Sequence, residues 1–191
     1  MEIIEIIEIT IEEFENSIYK EYIKLFPDNE QREWQKIRET YKNGIEKFYK
    51  ILLNNNVIGF IMLEKLDEAH PYYMDYFAIF EKYQKNGYGT KAIKMLLKSI
   101  VRDKGLCLEI EKEEDDNITT IKRDKFYKYL GFRKVDSEYV LYNVKYTPYI
   151  YEDKNKLNKD DVDQIMFDYY VVNCGEEEVR KNCKKIEQIE G

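Results

Sequence analysis

Apolar residues recur along this chain of 191 residues with two different spacings. A spacing of two, or a short apolar run, is typical of β-strands and occurs at 3–9, 46–53, 57–66, 72–80, 106–112, 132–141 and 143–151. A spacing of three and four is typical of amphipathic helices and occurs at 11–26, 30–42, 86–102, 119–130 and 160–172. Because strands and helices are interspersed along the chain, the pattern predicts a mixed α/β fold.

Residues at the ends of these segments support the predicted boundaries. Thr10 can cap the first helix, with Glu13 three residues later as in a capping box, and Pro27 ends that helix. The three asparagines at 54–56 predict a hairpin between two strands. Gly59, within the second of these strands, predicts a bulge or the close approach of another backbone.

The composition is that of a globular protein. Hydrophobic residues make up 43% of the chain and charged residues 36%, and no apolar run reaches the length of a membrane span. The first residues are acidic where a signal peptide would be basic, and the three cysteines form no CxxC pair. The formal net charge of −7 disfavours nonspecific binding to nucleic acid. We therefore expect a cytoplasmic protein with no nucleic-acid partner and no membrane association.

One glycine-containing loop joins an apolar strand to an amphipathic helix and carries candidate chemistry. Its glycines let the main chain approach a phosphate, and the N–H groups and dipole of the following helix attract an anion. A dinucleotide fingerprint tolerates alanine at its third glycine, here Ala92, but its first glycine should lie at the end of the strand and not three residues after Gln84. The order Gly89-Thr90-Lys91 is not that of a P-loop. The pattern that fits is Gln-x-x-Gly-x-Gly after a strand. The predicted phosphate-binding residues are Gln84, Lys85, Asn86, Gly87, Tyr88, Gly89 and Thr90.

A second segment, at 126–132, has the sequence Phe-Tyr-Lys-Tyr-Leu-Gly-Phe. Gly131 stands where a helix C-cap glycine is expected, so a helix should end here and a strand begin. The two segments, in this order and with an apolar strand at 106–111 between them, resemble the coenzyme-A loop and the Phe-Tyr-x-x-x-Gly-Phe segment of the GNAT superfamily of acyl-CoA-dependent N-acyltransferases. The resemblance is good over residues 57–150, looser over 1–56 and weak beyond.

The resemblance implies the GNAT fold, in which a central mixed β-sheet carries helices on both faces. It implies a GNAT acyltransferase domain over residues 1–152. Residues 153–191 are expected to form a C-terminal helical extension packed on the same domain, because the helix at 160–172 has an apolar face to bury. The charged tail after Gly175 is expected to be a frayed helix or disordered, and dispensable for folding.

In this family the loop after the strand holds the pyrophosphate of acetyl-CoA, the cosubstrate. The resemblance places the pantetheine arm along Phe77, Ala78 and Ile79, and makes the Ile79 N–H a candidate oxyanion donor. Tyr127 takes the place of the family's acid for the leaving thiolate and is also expected to contact CoA. An unperturbed phenol, with a pKa of about 10, is reasonably matched to a CoA thiol.

The general base that takes the proton from the amine is less well defined. Glu109 and Glu111 lie on the same face of their strand as Cys107, and Asp75 belongs to the preceding strand. Any of these carboxylates could act directly or through water. We favour Glu109 and keep Asp75 as a second candidate catalytic residue. No metal is expected, and no Ser/His/Asp or Cys/His arrangement points to a covalent intermediate.

These expectations describe an N-acetyltransferase that moves an acetyl group from acetyl-CoA to a primary amine by direct attack in a ternary complex. The acceptor is expected to be a small-molecule amine or a peptide amine, and a homodimer is possible. Two alternatives stay open: a noncatalytic acyl-CoA-binding or protein-interaction module on the same fold, and an unrelated α/β nucleotide binder. The acceptor side is expected to be lined by Tyr22, Phe26, Glu30, Arg32 and Trp34.

Overall fold

The computed structural model describes residues 2–112, 118–152 and 157–186. The sequence also predicts an acidic loop at 113–117, and this segment lies outside the described residues. The fold is mixed α/β, and the strands within each part of the chain pair antiparallel, so the predicted fold class is confirmed. The chain forms two compact units, residues 1–102 and 103–191. No helix in the described part of the chain is long and apolar enough to cross a membrane.

The first unit contains four strands, which pair in chain order as an antiparallel meander. The hairpin predicted at the asparagines is present, with Asn54 and Asn55 both at positive φ, as a two-residue primed turn requires. The strands are β1 (Ile4–Ile9), β2 (Glu46–Leu53), β3 (Asn56–Glu64) and β4 (Tyr72–Ile79). The helices are α1 (Ile11–Ser17), α2 (Tyr19–Leu25), α3 (Trp34–Lys42) and α4 (Tyr88–Leu96), and α4 continues as a π-helical turn, Leu97–Val101.

Both faces of the first unit's sheet are covered. Every position of β3 from Ile58 to Glu64 is buried, which requires packing on each side of the strand. Phe60 and Met62 belong to an apolar cluster with side chains of the first three helices. Helix α4 packs against β1 and β4. The cluster comprises Ile9, Ile11, Phe14, Ile18, Tyr22, Ile37, Phe48, Phe60, Met62 and Tyr76.

Two helix boundaries in the first unit differ from the prediction. The predicted helix 11–26 is interrupted at Ile18, which has a φ of −125°. The Ser17 hydroxyl donates to the Glu13 carbonyl one turn back, an interaction that bends helices. The predicted helix 30–42 begins only at Trp34. Asp28–Glu30 form a short 3-10 helix, and residues 31–33 then leave the helical conformation, which lets Arg32 reach a buried set of carboxylates.

The second unit is built around β8, which pairs antiparallel with three other strands. The predicted strand 132–141 is divided in two, because the four residues at 135–138 lie opposite only two residues of β8, Thr147 and Pro148, as in a bulge. The strands are β5 (Leu106–Glu111), β6 (Arg133–Lys134), β7 (Glu138–Leu141), β8 (Val144–Tyr151) and β9 (Cys183–Ile186). The helices are α5 (Ile118–Tyr129), α6 (Lys159–Cys174) and α7 (Glu176–Asn182).

The charged tail is folded as far as the structure describes it, which corrects the expectation of a frayed or disordered segment. After α6 the chain forms α7, whose Val179 is only 1% exposed, and then β9, which pairs antiparallel with β7. Lys185 of β9 forms an ion pair with Asp163 of α6. The segment after Gly175 is therefore held in the fold by the pairing of β9 with β7 and by the burial of Val179, although its sequence has no regular apolar face.

Candidate active site

The loop between β4 and α4 has a conformation suited to binding an anion. Lys85 and Gly87 have φ values of +64° and +76°, and Gly87 is the N-cap of α4. Alternating left-handed residues turn successive main-chain N–H groups towards one side, which makes a concave anion site. A Cβ placed on Gly87 would meet no atom within 4 Å, so the space beside this residue is open.

The side chains of Gln84, Asn86 and Tyr88 form hydrogen bonds within the fold. Gln84 Nε2 donates to Ile79 O at 2.8 Å, and Asn86 Nδ2 donates to Gln84 O at 2.9 Å. The Tyr88 hydroxyl donates to Glu2 Oε1 at 2.8 Å. The N–H groups in the first turn of α4 have no intrahelical partner, and Gly87 supplies no side-chain cap. An anion here would therefore be held by main-chain donors.

The end of β4 presents main-chain groups on the side away from β3. Phe80 N–H donates to Ile58 O, so the alternation of an antiparallel pair turns the N–H and C=O of Ile79 away from β3. Gly59 faces this segment at close range. A Cβ on Gly59 would overlap the Ala78 carbonyl and lie 3.1 Å from Ile79 Cα, which is the close backbone approach predicted from the sequence.

Tyr127 lies on the last turn of α5, with its ring packed between aromatic neighbours. Its centroid is 5.1 Å from that of Phe126 and 5.3 Å from that of Phe132. Burial raises the pKa of the Tyr127 phenol above its ordinary value, and the charge of Arg123 acts weakly in the opposite direction. The expectation of an unperturbed phenol is therefore wrong. Among the described residues, none forms a hydrogen bond with the Tyr127 hydroxyl.

Glu109, the favoured base, is half-buried on β5 and is bonded to the C-terminal extension. The Tyr170 hydroxyl, from α6, donates to Glu109 Oε2. On the same strand, Glu111 lies 3.7 Å from Arg123 Nη1, and Cys107 is fully buried with its thiol pKa raised by burial. Of the carboxylates on this strand, Glu109 is thus the one in contact with the extension.

Asp75, the second candidate base, belongs to a buried cluster around Arg32. Arg32 Nη1 donates to Glu46 Oε2 and Glu64 Oε1, each at 2.8 Å, and to Asp75 Oδ2 at 2.5 Å. Arg32 Nη2 donates to Thr40 Oγ1 at 3.0 Å. Asp75 is therefore one of three carboxylates that bind the buried Arg32 guanidinium.

The Arg32 cluster contains more negative charge than its single cation can neutralise. Burial raises the pKa values of Glu46 and Asp75, while the charge of Arg32 lowers them. Oxygens of the three carboxylates lie within 4.8 Å of one another, close enough to coordinate a metal ion. The cation that lies among them here is the Arg32 guanidinium.

The residues expected to line the acceptor side are largely part of the apolar core, which corrects that expectation. Tyr22 is 1% exposed, and its ring contacts Tyr76 at a centroid distance of 4.9 Å. Phe26 and Trp34 pack against the same cluster. The hydroxyls of Tyr22 and Tyr76 both accept a hydrogen bond from the Arg32 N–H. These aromatic residues hold the segment before α3 in place.

Sequence reasoning did not find the Arg32 cluster or Tyr170. Along the chain, Arg32 is 14 positions from Glu46, 32 from Glu64 and 43 from Asp75, so no local sequence pattern contains the cluster. The available signal was weak: charged residues at Glu46 and Glu64 interrupt strands that are otherwise apolar. Tyr170 lies in a helix beyond the recognisable motifs, and it is one of 18 tyrosines.

The family model described as the Acetyltransferase (GNAT) family matches residues 11–132. Because this match covers more than half of the sequence, the chain belongs to the GNAT acetyltransferase family, whose general activity is acetyl transfer. The match includes the loop at 84–90 and the segment at 126–132. It ends before α6, so the C-terminal extension is not part of the family model.

Solved structures similar to this chain are GNAT acetyltransferases. One from Bacteroides thetaiotaomicron has a TM-score of 0.75 and 21% identity, covering 90% of this chain and 98% of its own. Arabidopsis thaliana NAA60 in complex with acetyl-CoA has a TM-score of 0.58 and 16% identity, covering 78% and 98%. A Salmonella typhimurium enzyme that modifies the N-terminal serine of a 50S ribosomal subunit protein has a TM-score of 0.59 and 12% identity, covering 79% and 95%. None of the curated proteins matches the sequence.

Proposed function

We propose that this protein transfers an acetyl group from acetyl-CoA to a primary amine by direct attack in a ternary complex. The observation that carries the proposal is the loop at 84–90, in a chain of the GNAT family. Positive φ at Lys85 and Gly87, and an uncapped start to α4, supply main-chain donors at one turn. A pyrophosphate carries the charge that such a turn attracts.

Other residues of the first unit are also proposed to contact acetyl-CoA. Gln84, Asn86 and Tyr88 use their side chains to fix the loop, so their contribution to pyrophosphate would come through the main chain. The pantetheine arm would run along Phe77, Ala78 and Ile79. The direction of the Ile79 N–H, away from β3, supports its role as a donor to the thioester oxygen as negative charge develops there.

The proton transfers are assigned to residues of the second unit. Glu109 would accept a proton from the acceptor ammonium, leaving the neutral amine to attack. A C–N bond forms, the C–S bond breaks, and the proton of Tyr127 passes to the leaving thiolate. The second proton lost by the nitrogen then returns to the Tyr127 phenolate, which leaves a neutral amide and a free thiol. Because burial raises the pKa of Tyr127, its phenol keeps its proton at physiological pH and is available as a donor. Asp75, already bonded to Arg32, is the weaker candidate base.

The proposed acceptor is a small-molecule amine or the amine of a peptide. The formal net charge of −7 favours approach of a cationic amine, although it does not choose among them. A peptide N-terminus is a class to test, because the Salmonella typhimurium relative modifies an N-terminal serine. The protein is expected to act in the cytoplasm, without a nucleic-acid partner or membrane association.

The test is an acetylation assay with the full chain. Acetyl-CoA is mixed with a panel of amines: lysine, spermidine, and peptides with free and with blocked N-termini. We expect thiol release that depends on the amine, together with product heavier by one acetyl group in mass spectrometry. If calorimetry shows acetyl-CoA binding but no amine yields product, the noncatalytic module is the better description. If acetyl-CoA does not bind at all, the assignment of the loop is wrong.

A further inference from the structure

The hydrogen bond between Tyr170 and Glu109 joins the C-terminal extension to a strand of the catalytic fold. Tyr170 lies on α6, is 3% exposed, and donates its hydroxyl hydrogen to Glu109 Oε2 on β5. Opposite Glu109 in the register of the second unit is Pro148, which has no N–H group. The Tyr170 hydroxyl therefore donates to the Glu109 carboxylate at a position where the facing residue of β8, Pro148, has no main-chain N–H to donate.

Packing fixes Tyr170 independently of its bond to Glu109. Helix α6 begins with a capping box in which Asn158 and Asp161 satisfy each other's main-chain N–H groups. Met166 and Val162 are completely buried, one and two turns before Tyr170 respectively. The Tyr170 ring meets that of Tyr139 edge-on at a centroid distance of 6.3 Å. Because the ring is held by these contacts, its hydroxyl is presented to Glu109 in one orientation.

We propose that Tyr170 is a positioning residue for the reaction, which orients Glu109 and holds it ionised so that it can accept the proton of the amine. This inference rests on the proposed function, because it requires Glu109 to be the general base. A hydrogen bond donated to a carboxylate stabilises its charged form and lowers its proton affinity. The helix that supplies the donor lies beyond the residues matched by the family model, so this arrangement belongs to the extension of this chain.

Two further titratable groups, Cys183 and Tyr139, lie close to this pair. Cys183, on β9, is close enough for the charge of Glu109 to act on it, and burial together with that charge raises the pKa of its thiol to about 11. The thiol is thus neutral at physiological pH. Tyr139 donates its hydroxyl to Asp163 of α6. Tyr170 is the residue of α6 whose hydroxyl donates to Glu109.

The decisive variant is Tyr170→Phe, which removes one hydroxyl and keeps the ring. The titration of the Glu109 carboxyl is followed by NMR with isotope-labelled glutamate, and its resonance is identified by its loss in Glu109→Gln. We expect the midpoint to rise by about one pH unit in Tyr170→Phe. The acid limb of the kcat/KM profile should move upward by the same amount. Tyr139→Phe, which removes a hydroxyl bonded to Asp163, is the matched control and should leave both midpoints in place.

A double-mutant cycle separates a role through Glu109 from a general effect on the fold. Tyr170→Phe should have no further effect on kcat in the Glu109→Gln background, because the group through which it acts is already gone. An unchanged Glu109 midpoint in Tyr170→Phe would overturn the assignment. So would a shifted midpoint with an unmoved kcat/KM profile. If the wild-type protein acetylates no amine in the panel, the proposed function fails, and the inference that depends on it fails with it; the NMR titration still shows whether Tyr170 controls the proton affinity of Glu109.

Discussion

Asp75 accepts a 2.5 Å hydrogen bond from Arg32 Nη1, and the two side chains are 11% and 10% exposed. A carboxylate in this position is bound to a guanidinium that also holds Glu46 and Glu64. Removing a proton from a substrate would require Asp75 to exchange a buried ion pair for an ammonium. We therefore regard the Arg32 cluster as the polar centre that stabilises the first unit.

Arg32→Met should destabilise the protein strongly while keeping most of the side-chain volume. The variant leaves three buried carboxylates without their cation, and breaking a buried pair in this way costs about 3–5 kcal/mol. Urea unfolding followed by circular dichroism measures the loss. Arg38→Met is the matched control, because Arg38 pairs with Glu15 at the surface, where 46% of its side chain is exposed. The control should lose no more than about 1 kcal/mol, and an equal loss in both variants would contradict this account.

Glu46→Gln should gain stability relative to the wild type as the pH rises. Burial raises the pKa of Glu46 in the folded state. The stabilisation contributed by its protonated form is complete below the ordinary carboxyl pKa of about 4 and is lost as the pH rises through the raised value. Glutamine cannot ionise, so it avoids this loss. Free energies of unfolding measured from pH 4 to pH 8 should diverge in favour of the variant.

Glu39→Gln provides a control of opposite sign for that measurement. Glu39 is exposed, and a hydrogen bond from Lys36 lowers its pKa. A lowered pKa contributes stability above the ordinary carboxyl pKa, so this variant should lose stability relative to the wild type as the pH rises. If both variants respond to pH alike, Glu46 does not have a raised pKa.

Local patterns predicted the elements of this fold better than their boundaries. The strands, the asparagine hairpin and the glycine loop follow from alternation and turn chemistry within a few residues. The start of α3 could not be predicted in this way, because Trp34 becomes the first helical residue only when Arg32 reaches carboxylates on three strands. Strand β9 could not be predicted either, because its pairing with β7 depends on a partner more than forty residues away.

The candidate site was predictable where the chemistry lies in a contiguous segment. The main-chain donors of the loop follow from Gly87 and its neighbours, and the aromatic setting of Tyr127 follows from its own segment. The partners of the carboxylates are set by tertiary structure. Period-two alternation predicted which face of β5 carries Glu109. Its contact with Tyr170, and that of Asp75 with Arg32, could be seen only in the folded structure.

Gly89→Glu should abolish binding of acetyl-CoA while the protein stays folded. The change places a carboxylate in the first turn of α4, where main-chain donors are proposed to meet a pyrophosphate, and like charges repel there. Isothermal calorimetry measures the affinity, and circular dichroism checks the fold. Gln35→Glu adds the same charge at an exposed position of α3 and should bind normally. An unaltered affinity in Gly89→Glu would show that the loop does not hold the pyrophosphate.

Tyr127→Phe should lower kcat by ~10²-fold with little change in the affinity for acetyl-CoA, because it removes the donor to the leaving thiolate and keeps the packed ring. Single-turnover measurements with an amine identified in the panel isolate the chemical step. Tyr129→Phe, on the exposed side of the same helix, controls for the loss of a hydroxyl. A chemical step as fast as that of the wild type would restrict Tyr127 to packing against Phe126 and Phe132.

Truncation after Asn173 should destabilise the protein, contrary to what the charge pattern of the tail suggests. The truncation removes α7 and β9, and with them the burial of Val179, the pairing with β7 and the Lys185–Asp163 ion pair. Full burial of one valine contributes about 1.5–3 kcal/mol. In a protein of this size, each 1 kcal/mol lowers the melting temperature by about 2–4 °C.

Point variants on α7 show whether that loss comes from specific packing. Val179→Ala should lower the melting temperature by several degrees, because it deletes buried methyl groups worth about 0.8 kcal/mol for each carbon. Glu177→Ala, at an exposed position of the same helix, should leave it nearly unchanged. If the truncated chain melts at the temperature of the full chain, and Val179→Ala matches its control, then α7 and β9 do not contribute to the fold. In that case its pairing with β8 would be enough to hold β7, and the segment after Gly175 would be free to serve another role.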